Sequence, residues 1–214
     1  MALGPRRAAS PSHPKARPPE LLRKLIAVAM DLERRTMQLY CRYEALFANP
    51  DEVRAFWFDM AEHESRHYGA LAMVAGLLEC APERTLPAAP ALTRAHVEHL
   101  RKVLTRAETE AREGLGLARA FETAVTIESS EIEDLVLDLL SVLKGERERE
   151  RAMQGVIHDL GDLSYMIEKY SPKKALLTRI DNLIEQRVSG RRASAMKAVP
   201  AVRSTRRRDT RRAT

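Results

Sequence analysis

Glu64 and His67 stand three residues apart in "MAEHESRHYGAL" (60–71), inside a stretch that otherwise has the spacing of an amphipathic helix. On a helix, positions i and i+3 share a face one turn apart, so both side chains fall on one side. A charged pair in an apolar stripe costs free energy unless opposite charge or a metal ion compensates it. Carboxylate oxygen beside imidazole nitrogen suits iron or manganese, and a carboxylate can bridge two ions. His63, one turn before His67, is expected at the surface or behind the ligands.

Two more stripes carry an acid at mid-height. At about 100° per residue, Leu22, Ile26, Ala29, Met37 and Tyr40 lie within roughly 40° of Glu33. Val53, Trp57, Met60, Tyr68, Leu71 and Ala75 surround Glu64, with His67 roughly 60° to one side. Leu117, Phe121, Ala124, Ile132, Leu135 and Leu139 surround Glu128, and Glu131 follows one turn on. In an antiparallel hairpin, residues equidistant from the turn lie level. The midpoint of Glu33 and Glu64 falls inside "FANPDE", and that of Glu131 and His158 at the Lys144–Gly145 junction. A single such acid is best explained by a nearby Arg or Lys, or by a place at the end of a bundle. Three at mid-stripe favour a metal site.

The elements that must position these groups are helices. The periodicity predicts one from Glu20 to about Phe47, a turn at "ANPD" with Asp51 as N-cap, and a second to about Cys80. "APERTLPAAPAL" is a loop, and Thr93 caps the following helix. Gly114 and Gly116 bend the chain before a third main helix over about 117–143. A fourth covers about 146–170, and a short fifth follows Ser171-Pro172 and stops at Gly190. No strand pattern competes. The fold class is all-α, most simply an antiparallel four-helix bundle over 20–170 with an accessory helix over 171–189. Residues 1–19 and 190–214 read as disordered tails.

In the fourth helix the best apolar stripe, Met153, Val156, Leu160, Leu163 and Ile167, contains no ligand. His158, Asp159 and Asp162 occupy an adjacent arc. Either a rotated helix presents His158 with Asp162 to the site, or the three form a solvated face.

Charge is unevenly spread. Residues 1–19 carry +4 and residues 190–214 carry +8, leaving −6 on 20–189 within a formal total of +6. The tail "RSTRRRDTRRAT" can contact phosphates nonspecifically or dock on an acidic partner. Cys41 and Cys80 are too few for a disulfide scaffold or a cysteine-rich metal site, and they suit a reducing compartment. Runs such as "LIAVAM" are too short to span a bilayer, so no membrane partner and a cytoplasmic location are expected.

Three motifs together resemble the ferritin-like superfamily, most closely its rubrerythrin branch. They are "ERRTMQLY" (33–40), with Glu followed seven residues later by Tyr, the Glu-x-x-His of "EHESRHYGAL" (62–71), and the Glu-x-x-Glu of "AVTIESSE" (124–131). The resemblance implies that Glu33, Glu64, His67, Glu128 and Glu131 hold a di-iron centre, with Tyr40 hydrogen-bonded behind the ligands. It further implies Fe(II) oxidation by peroxide or dioxygen, and a homodimer or higher oligomer. The rubredoxin module of full-length rubrerythrins is missing, so an enzyme would need an external electron donor. Where the family repeats Glu-x-x-His in the fourth helix, this chain has Gly155 before His158. That departure leaves a mononuclear site open. Two further readings stand: an iron-handling module with a degenerate second position, and a nucleic-acid-associated protein using its basic tails.

Overall fold

The structure, a computed structural model, describes residues 19–80, 94–130, 135, 137 and 146–198. Among the described residues every regular element is helical: α1 (Pro19–Leu46), α2 (Asp51–Cys80), α3 (Arg94–Glu113), α4 (Leu117–Glu128), α5 (Glu146–Tyr170) and α6 (Lys174–Ala198). Leu135 and Leu137 are also helical and buried. Thr93, Glu131, Ile132, Leu139 and most of both basic tails lie outside the described residues. No described helix is long and apolar enough to cross a membrane.

α1 and α2 pack along one another, and α3 lies against α1. α4 packs on α3, α5 and α6, while α5 also touches α2. Buried side chains from all six helices join one apolar core. Pro19 opens α1, where its missing N–H and fixed φ carry no penalty. The carbonyl of Pro50 accepts from the N–H groups of Val53 (2.9 Å) and Arg54 (3.3 Å). Pro50 therefore occupies the capping position expected of Asp51. Asp51 stands instead in the first turn, where negative charge suits the positive end of the helix dipole.

The third main helix expected over 117–143 is interrupted. α4 ends at Glu128, and Ser129 and Ser130 leave the helix. The Ser129 hydroxyl donates to the Val125 carbonyl at 2.5 Å, and the Ser130 N–H reaches back only three residues, to Ile127. Serine hydroxyls compete in this way for carbonyls that the next turn needs. At the other end of the chain, α6 runs through Gly190 to Ala198. One glycine costs about 1 kcal/mol relative to alanine, too little to end a helix continued by "RRASAMKA". The stripe Met153, Val156, Leu160, Leu163 and Ile167 of α5 is buried throughout.

The direction of α4 is fixed at the 114–116 break. Gly114 has φ +89°, a conformation that side chains resist. Beyond it, Arg119 reaches back to Glu110 at 2.9 Å and along its own helix to Glu122 at 3.3 Å. Lys173, before α6, also pairs with Glu122 at 2.7 Å. The Arg119 hydrogen bond holds Glu110 below its ordinary pKa of 4.5, and that of Lys173 does the same for Glu122. Depressed carboxylates contribute stability that is present above 4.5 and lost as pH falls through the folded values. Arg119→Gln should accordingly lower the denaturation midpoint at pH 7, with the difference from wild type shrinking in urea titrations below pH 4. A difference independent of pH would contradict this clamp.

Candidate metal centre

Glu33 of α1, Glu64 and His67 of α2 and Glu128 of α4 are all buried, with between 1% and 4% of their surface exposed. His67 Nδ1 lies 3.7 Å from Glu64 Oε2 and 3.8 Å from Glu33 Oε2. These separations exceed hydrogen-bond length and bring carboxylates of two helices to one side of His67. On the third helix, Glu128 Oε1 accepts the Tyr40 hydroxyl at 2.8 Å. Tyr40 is fully buried, and its hydroxyl is pushed well above the ordinary tyrosine pKa of 10. Desolvation is the main cause, followed by the negative charges of Glu128 and then Glu64. Tyr40 thus sits in the field of both acids, and a polar seam crosses three helices.

The arginines adjacent in sequence do not neutralise Glu33. Arg34 Nη2 pairs with Asp31 at 2.9 Å, and Arg35 turns to Glu108 of α3 at 2.8 Å. Glu33 Oε1 has no hydrogen-bond donor among the described residues. A buried carboxylate oxygen left so is costly, and a cation or a proton would satisfy it. His63, Glu64 and His67 offer donor atoms within 4.8 Å of one another, and carboxylate oxygen with imidazole nitrogen fits a hard or borderline divalent ion such as iron or manganese.

An aromatic block closes the seam beside Tyr40. Trp57 lies 5.7 Å from Tyr40, 4.9 Å from Tyr43 and 5.5 Å from Phe121, centroid to centroid. Phe56 stands edge-on to Trp57 at 4.8 Å. Trp57, Tyr40, Tyr43 and Phe121 are wholly buried, so the Tyr40–Glu128 bond is screened from water on that side.

His63 differs from the sequence expectation. It is buried, its ring lies 4.1 Å from that of His67, and its Nδ1 is 3.3 Å from Asp159 Oδ2 of α5. The signal was present in α2. Phe56, His67 and Val74 lie roughly 60–80° to the His63 side of Glu64, so the buried face is centred away from Glu64. Tyr68, placed in the stripe by the sequence, is correspondingly only half-buried. α5 therefore turns Asp159 toward the seam. His158 and Asp162 point outward, with 75% and 58% of their side chains exposed, and the structure does not bring them to Glu33, Glu64 or Glu128. Asp159 is raised above its ordinary pKa of 3.8, chiefly by partial burial. Glu131 lies outside the described residues.

Replacing Tyr40 by phenylalanine keeps the ring and removes the donor to Glu128. Tyr40→Phe should cost about 1–3 kcal/mol in metal-free protein, measured by urea denaturation with Trp57, the single tryptophan, as fluorophore. A loss of only a few tenths would contradict a buried Tyr40–Glu128 bond.

Compared with models of known protein families, with curated proteins and with solved structures, the chain matches none.

Proposed function

We propose that this chain is a metal-binding protein of ferritin-like, rubrerythrin type. In this reading residues 20–170 form a four-helix bundle from α1, α2, the segment begun by α4, and α5, with α3 an added connection. Glu33, Glu64 and Glu128 would hold the metal through carboxylate oxygens and His67 through an imidazole nitrogen. The observation that carries the reading is the burial of these four side chains from three helices, with an unmet oxygen on Glu33. Iron bound there would supply the redox chemistry, oxidation of Fe(II) by peroxide or dioxygen, with peroxide the favoured oxidant.

The chain's own groups have definite tasks in that chemistry. Tyr40 donates to Glu128 and so holds that carboxylate in place. Its raised pKa keeps the phenol protonated at neutral pH, so it orients the carboxylate without adding negative charge. Trp57, Phe56 and Phe121 exclude water from that side of the seam.

A second reading has its own support. α5 faces the seam with Asp159 through His63 and has Gly155 where a Glu-x-x-His motif would need its acid. A centre with one well-furnished position would hold iron, or manganese, without efficient turnover. Metal content separates the two. Protein loaded anaerobically with Fe(II) and desalted should retain about two ions per chain if the di-iron form is right, and Glu64→Ala should lose them. One ion per chain would favour the handling module. No iron in the folded wild type, with a fully stable Glu64→Ala variant, would end both readings.

A further inference from the structure

Outside the buried seam, α5 carries a second group of metal-ligating side chains. His158 Nδ1 lies 3.2 Å from Asp162 Oδ2 and 3.7 Å from Asp159 Oδ1. One imidazole and two carboxylates thus offer donor atoms within 4.8 Å of one another. Surface groups of this kind are common and by themselves mean little. Here Asp159 connects the group to the interior. Its Oδ1 faces exposed His158, while its Oδ2 faces His63, whose side chain is only 7% exposed. The His63 ring packs against that of His67, and donor atoms of His63, Glu64 and His67 again lie within 4.8 Å of one another. At the inner end stands Glu33, with Oε1 lacking a donor among the described residues.

The track interrupts an apolar wall. Val156 and Leu163, one turn to either side of Asp159 on α5, are buried, as are Leu160 and Ile167. A divalent ion cannot cross such a wall bare, because loss of its hydration is not repaid by hydrocarbon. It can move where each ligand it leaves is replaced by another oxygen or nitrogen. Asp159, with one oxygen toward each side, and His63, edge-on to His67, supply that continuity.

We propose that His158, Asp159 and Asp162 form an outer divalent-cation site that is the entry port of the buried centre, with Asp159 and His63 passing the ion inward. The entry role rests on the metal reading above, whereas the outer site does not. His158 and Asp162 capture a hydrated ion from solvent. They are not ligands of the final centre, so their loss should change how fast it fills and not how full it becomes.

Co(II) tests both parts, because its visible absorption reports its ligands. Metal-stripped full-length protein is mixed with Co(II) in a stopped-flow instrument, and the ions retained after desalting are counted. His158→Ala/Asp162→Asn should slow filling roughly tenfold or more, the scale on which focused charge speeds capture, with retained Co(II) unchanged. His63→Leu should slow it as well. In Glu64→Gln, a weak Co(II) signal removed by desalting should persist, and the added His158→Ala/Asp162→Asn changes should abolish it. Unchanged filling rates would overturn the entry role, and reduced retained Co(II) in the double variant would make these residues ligands of the centre instead. Absence of the weak signal in Glu64→Gln would overturn the outer site. A weak signal with nothing retained by wild type would leave the outer site standing and remove both the entry role and the buried centre.

Discussion

Negative charge gathered where water cannot reach it is the condition around which this fold is arranged. Glu33, Glu64 and Glu128 are buried on helices whose other buried members include Ile26, Ala29, Trp57, Leu71, Phe121 and Ala124. Carboxylates in such surroundings are tolerated only when something positive or proton-donating meets them. Tyr40 does this for one oxygen of Glu128. Two histidines stand within the seam, and the arginines nearest Glu33 are spent on Asp31 and Glu108. The cheaper arrangement, leucine at these positions, would pack the same helices without the electrostatic cost.

The remaining structure serves that seam. The α1–α2 hairpin brings Glu33 of one helix and Glu64 of the other to His67. The left-handed turn at Gly114 and the Arg119 clamp aim α4 so that Phe121 covers Trp57 while Glu128 meets Tyr40. Serine hydroxyls end α4 immediately after Glu128, placing the acid in a terminal turn and not in the middle of a long rod. α5 adds the buried residues Met153, Val156, Leu160, Leu163 and Ile167 to the core, and beside them Asp159 reaches His63.

Much of this is legible in the sequence because burial and helical period leave a joint signature. The stripes of α1 and α2 located Glu33 and Glu64, and the Ser171-Pro172 break and the Gly114–Gly116 bend located helix boundaries. The failures have physical causes as well. Gly190 looked like a stop, but a lone glycine is outweighed by the helix formers that follow it. The run 117–143 has unbroken periodicity, and periodicity does not register serine hydroxyls competing for carbonyls. A stripe centred on Glu64 puts His63 on the flank. Phe56 and Val74 shift that centre toward the histidines, and rotation by roughly 40° about a helix axis decides which of two neighbours is buried. The same freedom hid the role of Asp159, since the sequence cannot say how α5 is turned about its axis.

Anomalous scattering at the iron edge from crystals of the iron-loaded full-length protein tests the central claim most directly. The account predicts a strong peak bounded by Glu33, Glu64 and His67, with the Tyr40–Glu128 bond retained beside it. Those side chains in the same buried positions with no anomalous density among them, or density confined to His158 and Asp162, would contradict it.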